Sequence, residues 1–231
     1  MPRWFTILWM VCALGRCAVA QSGSEARFQA TFENDRASAF ILELAPHQHA
    51  QIYQFSHDTV WLALSDAAVS FTQNQQTSTK VQFKTGDTRF FASFQAKSVV
   101  NDGATNFRAV LVEIKGRGLA SGGCGCLGEV EKAVCGCVNS GHLPELWAVG
   151  IGQLTLGGTT LPANEGFRAA SPRDDMLLVA ITDVALRDEA SDAAEPPVTH
   201  LKSGEVAWVK EGRHRLRNVG EQVARFVTLE F

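Results

Sequence analysis

The stretch that decides the fold is His57 to Ala68, which reads HDTVWLALSDAA, together with Asp174 to Ala185, which reads DDMLLVAITDVA. The second stretch follows the first at an offset of 117 residues, and four positions are identical. Most other positions keep an apolar or a hydroxyl side chain, and each stretch ends its apolar run in Ser or Thr followed by Asp. Self-similarity at a fixed spacing indicates a duplicated structural unit.

The repeat extends on the C-terminal side of these stretches. Asn101, Gly103, Arg108, Val110 and Glu113 match Asn218, Gly220, Arg225, Val227 and Glu230, and Thr85-Gly86-Asp87 matches Ser203-Gly204-Glu205 after a one-residue adjustment. Short alternating apolar runs separated by Gly, Asn and Asp predict an all-β sandwich or barrel for each copy. We expect the recurring arginines and glutamates to form structural ion pairs across strands or between the copies rather than to act in catalysis.

The order of motifs resembles the cupin superfamily, whose members are small jelly-roll β-barrels. That family has a Gly-acid turn followed by His-x3-Asn-x-Gly, and the second copy carries Gly204-Glu205 followed by His214, Asn218 and Gly220. The resemblance covers 28–115 and 146–231, and it implies an all-β bicupin with two tandem jelly-roll barrels. We therefore divide the chain into a signal peptide (1–20), a first barrel (21–116), a Gly/Cys-rich insertion (117–143) and a second barrel (144–231). One core is expected from Phe28, Phe32, Leu42, Leu62, Leu64, Phe83, Val110 and Val112, and the other from Leu178, Ala180, Val206, Trp208, Phe226 and Leu229.

The resemblance also implies a metal site, since cupins commonly bind Fe, Mn, Ni, Zn or Cu through two histidines and a carboxylate of one motif and a histidine of the other. His47, His49 and His57 are the candidate ligands in the first copy. Side chains two apart on a strand face the same way, so His47 and His49 could converge on one ion, and His57 competes with them for the site. That copy places Lys97 where the second copy has His214, and an ammonium group is a poor ligand. The second copy offers His214 as its candidate ligand, but it has no histidine in 165–175. Both sites are thus expected to be degenerate and to hold one divalent metal or none.

The first 20 residues have the pattern of a leader for export. A basic start at Arg3 is followed by an apolar run from Trp4 to Leu14, and Ala18-Val19-Ala20 supplies the small residues of a cleavage site. The apolar run is shorter than the roughly 20 residues of a membrane-spanning helix. We expect a secreted or periplasmic protein with no membrane span once the leader is removed.

The insertion between the copies holds the four cysteines that follow the leader, as Cys124-Gly-Cys126 and Cys135-Gly-Cys137. Export to an oxidising compartment favours disulfides, and three pairings are open. The alternative is a set of four thiolates around Zn or Cu(I), with His142 nearby.

Composition narrows the function without deciding it. The 231 residues are 45% hydrophobic and 19% charged with a net charge of −3, and they contain no basic run, so nucleic-acid binding is not expected. The degenerate metal motifs favour a module that binds a small molecule or a partner protein, and they leave a homodimer open. The first alternative is a metal-dependent enzyme, dioxygenase-like or isomerase-like, that uses the first barrel. The second is Cu or Zn handling by the cysteine loop.

Overall fold

The computed structural model describes residues 26–52, 55–73, 77–91, 98–115, 124–125, 146–151, 154–168, 174–191 and 195–231. Within these ranges the regular elements are all β-strands, in four antiparallel sheets. The signal peptide, Lys97, His142 and three of the four insertion cysteines lie outside the described residues. The domain boundaries and the leader therefore remain predictions.

The first barrel is a sandwich of a five-stranded and a four-stranded sheet. The five-stranded sheet has the order β1 (Arg27–Glu33), β2 (Ala37–Leu44), β9 (Phe107–Ile114), β4 (Thr59–Ala63) and β7 (Thr88–Phe91). The four-stranded sheet has the order β3 (His49–Gln51), β8 (Ser98–Asn101), β5 (Ala67–Gln73) and β6 (Thr77–Phe83).

The second barrel repeats this arrangement and adds one strand at an edge. Its larger sheet has the order β10 (Cys124–Gly125), β11 (Leu146–Ile151), β12 (Leu154–Leu161), β19 (Ala224–Glu230), β14 (Met176–Ala180) and β17 (Val206–Val209). Its smaller sheet has the order β13 (Gly166–Arg168), β18 (Arg215–Asn218), β15 (Val184–Asp188) and β16 (Val198–Leu201). The added strand β10 joins the start of the cysteine insertion to the second barrel.

The apolar side chains of the described residues form three cores, where the sequence predicted two. Side chains alternate between the faces of a strand, so each large sheet has an inner face toward its own barrel and an outer face. The outer faces of the two large sheets pack against each other and bury a third cluster between the barrels. Leu62, Leu64, Val110, Val112 and Leu229 are buried in this cluster, with Phe32, Val206 and Trp208 packed against it. Assigning these residues to the barrel interiors was wrong, because their alternation identified a buried face without identifying what covers it.

The Asn-x-Gly motif builds the same turn in both barrels. The side-chain amide of Asn101 donates to the carbonyls of Leu44 and Thr105, while its oxygen accepts from the backbone N–H of Gly103. Asn218 makes the matching bonds in the second barrel, where Gly220 donates to its oxygen. Both asparagines are at most 1% exposed. The motif therefore satisfies buried carbonyl groups at the end of each barrel.

Of the two repeated arginines, Arg108 forms a predicted ion pair and Arg225 donates a hydrogen bond to a carbonyl. Arg225 extends from the second barrel to donate to the carbonyl of Thr85 at 3.2 Å, next to Gly86 of the first barrel. Arg108 forms a cross-strand ion pair with Glu43 at 2.8 Å and also lies near Gly204 of the second barrel. Each barrel thus places an arginine against the glycine turn of the other.

No helix in the described part of the chain is long and apolar enough to cross a membrane.

Candidate functional site

His47 and His49 lie at the end of the first barrel but face away from its interior. His47 is exposed in a turn with φ of 61°, and Asn164 has φ of 66° at the matching turn of the second barrel. His49 is exposed on β3, where its neighbour Ala50 is the residue that enters the core. The two side chains are thus not directed at a common point inside the barrel.

His57 forms a polar contact at the entry to β4. Its Nδ1 lies 3.0 Å from Oε1 of Glu113, and the same oxygen accepts from the backbone N–H groups of Ser56 and His57. The side chain of His57 is 42% exposed, whereas that of Glu113 is 11% exposed. Glu113 therefore anchors the loop that enters β4, and His57 covers it.

His214 is held on both ring nitrogens. Nδ1 lies 2.6 Å from Oδ2 of Asp188, and Nε2 lies 2.7 Å from the carbonyl oxygen of Lys210. Because both partners are acceptors, the doubly protonated ring satisfies both contacts. Burial opposes the charge, yet the bonds to Asp188 and Lys210 outweigh it and raise the pKa of His214. Burial likewise opposes ionisation of Asp188, but hydrogen bonds from His214 and from two backbone N–H groups lower the pKa of its carboxyl.

The interior of the first barrel is filled by aromatic side chains. Trp61 packs edge-on against Phe71 and Phe91, with ring centroids 5.2 and 5.6 Å away, and Phe71 and Phe91 are 4.7 Å apart. The guanidinium of Arg89, next to Trp61 on the same inner face, lies 5.5 Å above the ring of Phe83. Close packing of this kind leaves little room for a ligand.

The second barrel has smaller and more polar side chains at the same positions. Leu178 replaces Trp61, Asp188 replaces Phe71 and Val209 replaces Phe91. The middle cross-strand row of its inner face is Gly157, Thr228, Leu178 and Ala207, where the first barrel has Phe40, Leu111, Trp61 and Arg89. The second barrel is thus the one whose inner face carries the smaller and more polar side chains.

Three further polar residues lie on this inner face. Thr159, Thr228 and Glu230 are 6%, 1% and 5% exposed, and they alternate with residues of the cluster between the barrels. The hydroxyl of Thr228 donates to the carbonyl of Gly157 at 3.4 Å. The hydroxyl of Thr159 has no hydrogen-bond partner among the described residues. Together with Asp188 and His214, these residues make the second barrel the candidate site.

An open groove of about 460 Å³ lies elsewhere on the second barrel, beside the turn at Gly220. Three of the acidic and basic residues that line it, Asp183, Lys202 and Glu205, are already engaged. Lys202 pairs with Asp183 at 2.7 Å, and Glu205 accepts from the backbone of Lys202. This groove is a weaker candidate than the barrel interior because Lys202 and Asp183 are exposed and paired with each other.

Solved structures with the same architecture identify the fold, although no protein-family model and no curated protein matches the sequence. AerE from Microcystis aeruginosa superposes with a TM-score of 0.63 at 8% identity, over 91% of this chain and 94% of that one. A variant of oxalate decarboxylase from Bacillus subtilis gives 0.62 at 13% identity, over 89% and 72%. A cupin 2 conserved barrel domain protein from Leptotrichia buccalis gives 0.51 at 9% identity, over 90% and 89%. The chain has the cupin fold. At these identities the likeness concerns the fold alone.

The metal site implied by the cupin resemblance does not fit the residues that the structure describes. In that part of the chain, no three His, Cys, Asp or Glu side chains lie close enough together to hold an ion. His47 and His49 face outward, His57 contacts Glu113, and both nitrogens of His214 are hydrogen-bonded. Lys97 lies outside the described residues, as do Cys126, Cys135 and Cys137. The backbone of Cys124 is described, in β10 opposite Ile151.

Sequence reasoning did not single out Thr159, Thr228 or Asp188 of the second cupin barrel. The signal was nevertheless in the repeat, because the same offset of 117 pairs these residues with Leu42, Leu111 and Phe71. Comparing the copies for what they share indicated the fold. Comparing the inward positions for what differs would have indicated the site.

Proposed function

We propose that this cupin-fold protein is a non-catalytic binding module whose second barrel holds a small molecule. The observation that carries the proposal is the exchange of the aromatic cluster of the first barrel for Leu178, Asp188 and Val209 in the second. Ligand sites are concave, with a few well-placed polar groups on a largely apolar wall. The inner face of the second barrel carries Leu178, Met176 and Phe226, which would form such a wall.

The first barrel serves as the structural partner in this proposal. Its interior is occupied by Trp61, Phe71 and Phe91, which are at most 7% exposed. The cluster between the barrels joins it to the larger sheet of the second barrel. The metal-dependent alternative is less favoured, because His47, His49 and His57 do not converge.

A substitution that fills the second barrel tests the proposal. Leu178→Trp introduces the residue that the first barrel has at this position. Thermal unfolding of the full chain is followed with D-glucose, succinate and ethanolamine, which represent neutral, anionic and cationic ligands. Binding to the folded state stabilises it by RT ln(1 + [L]/Kd), so the unfolding midpoint rises with ligand concentration. We expect at least one probe to raise the midpoint of the original protein and to leave that of Leu178→Trp unchanged.

The matched control is His200→Trp, which adds the same indole at an exposed position on the neighbouring sheet. This variant keeps its response to the probe if the site is inside the barrel. The proposal fails if no probe stabilises the original protein, or if Leu178→Trp responds as strongly as His200→Trp. Extra bulk in a filled core typically lowers the free energy of unfolding by about 1–3 kcal/mol. Without any probe, we expect Leu178→Trp to lower it by less than this.

We further propose that the protein is exported and that Cys124, Cys126, Cys135 and Cys137 pair as disulfides. Export supports this because thiols oxidise outside the reducing cytosol. The test is a count of reactive thiols in the denatured protein recovered from the exported fraction, together with its metal content. Four cysteines that react only after reduction support disulfides. Stoichiometric Zn or Cu with four reactive thiols would instead support the metal-handling alternative.

A further inference from the structure

Thr159 carries a buried hydroxyl group whose partner is missing from the described residues. The residue is 6% exposed on β12, and the alternation of β12 places its side chain on the same face as Leu161, in the core of the second barrel. A buried polar group left without a hydrogen bond typically costs about 1–3 kcal/mol. The first barrel has Leu42 at this position, fully buried and apolar. The hydroxyl thus carries a cost that the other copy of the same fold avoids.

The groups around Thr159 indicate what it could bind. Phe226 lies directly opposite on β19, and its ring contacts Phe167 edge-on at 5.8 Å. Two residues away on the same two strands, Thr228 and Gly157 face the same interior. A hydroxyl beside an aromatic ring suits a molecule that has both hydroxyl groups and C–H faces.

The charges that face the second barrel favour a neutral ligand over an anion. Asp188 is paired with His214, and Glu230, a second carboxylate on the inner face of β19, also has an interaction partner. Where the first barrel has Arg89, the second has Ala207. Among the side chains that the structure describes on this inner face, no lysine or arginine is present to hold a carboxylate or phosphate.

We propose that the second barrel binds a neutral, hydroxyl-bearing small molecule of the sugar or polyol class, and that Thr159 exchanges a hydrogen bond with it. This inference rests on the proposed binding function of the second barrel. Thr159 then has the role of a specificity residue, since its hydroxyl is satisfied in the bound state.

The test uses Thr159→Val in the full chain, because valine keeps the branched shape and removes the hydroxyl. Isothermal titration and thermal unfolding are performed with D-glucose, D-galactose and myo-inositol, and separately with formate and succinate. We expect the variant without ligand to unfold at the same or a higher temperature than the original protein. We expect its affinity for the neutral compounds to fall about five- to tenfold, which corresponds to one hydrogen bond.

Thr160→Val is the matched control, since Thr160 is the next residue on β12 and lies on the opposite face of the strand. It should leave the affinity unchanged. If formate or succinate binds instead and Leu178→Trp abolishes that binding, the binding function stands and the neutral class is overturned. If neutral compounds bind equally to the original protein and to Thr159→Val, the role of Thr159 is overturned. If no neutral compound binds, Thr159 serves at most a buried water and the inference fails.

Discussion

The contact between His214 and Asp188 makes the stability of the second barrel depend on pH. The two side chains are 18% and 25% exposed, and the second ring nitrogen bonds the carbonyl of Lys210. Hydrogen bonds to a charged group contribute about 1.5–3 kcal/mol when they are formed. We expect His214→Asn to lower the free energy of unfolding by about this amount near pH 6.

The sign of the pH dependence follows from the two pKa shifts. The raised pKa of His214 means that its contribution is complete below its ordinary value of 6.5 and is lost as the pH rises through the folded-state value. The lowered pKa of Asp188 means that its contribution is complete above 3.8 and is lost as the pH falls through the folded-state value. The pair therefore stabilises most strongly between about pH 4 and 6.5.

Urea unfolding of the original protein, His214→Asn and His200→Asn measures this effect across the pH range. The original protein should lose more stability than His214→Asn between pH 6 and pH 9, because the variant has no imidazolium to titrate. His200→Asn removes an exposed histidine on a neighbouring strand and should behave like the original protein. Equal losses for the original protein and His214→Asn would refute the reasoning, as would an equal effect of His200→Asn.

Three further substitutions test the architecture. Gly86→Ala should destabilise by about 1 kcal/mol or more, because its φ is +97° and the new Cβ would lie 2.8 Å from Nη2 of Arg225; urea unfolding against Gly166→Ala, at a more open position, checks this. Asn218→Ala should cost about 1–3 kcal/mol by leaving the carbonyls of Leu161 and Gln222 without their donor, and an unchanged denaturation midpoint would contradict this role of the motif. Leu62→Ala, in the cluster between the barrels, should cost about 2–5 kcal/mol while fluorescence and circular dichroism still report one shared transition; separate transitions for the two barrels would show that the cluster does not couple them.

The sequence repeat and the resemblance of its motifs to the cupin superfamily were together sufficient to predict the fold and the two-barrel architecture. The Asn-x-Gly motif recurs at the same offset in both copies because the same turn needs the same residues. Asn101 and Asn218 hold these turns together. Such a turn leaves a direct trace in residue identity. Residue identity does not show which core an apolar face enters, because Leu62 and Trp61 are equally apolar neighbours that point into different cores.

The candidate site was harder to predict because its residues are common ones. A threonine on a strand is ordinary, and the character of Thr159 depends on what the other strands place around its hydroxyl. The histidines drew attention through their known chemistry, yet their surroundings decide their roles. His49 lies on the exposed face of β3 because Ala50 is the residue that fits the crowded core of the first barrel.

The most direct test of the account follows the methyl group of Met176 by nuclear magnetic resonance. The chain has three methionines, and Met176 is 2% exposed on the inner face of the second barrel, opposite Glu230 and Val209. Its signal in protein labelled with carbon-13 at the methionine methyls is assigned by its loss in Met176→Leu. Addition of D-galactose, D-glucose or myo-inositol should shift this signal, and Leu178→Trp should abolish the response. A Met176 signal that none of these compounds moves would contradict a binding chamber in the second barrel, and a response that survives in Leu178→Trp would place the ligand elsewhere.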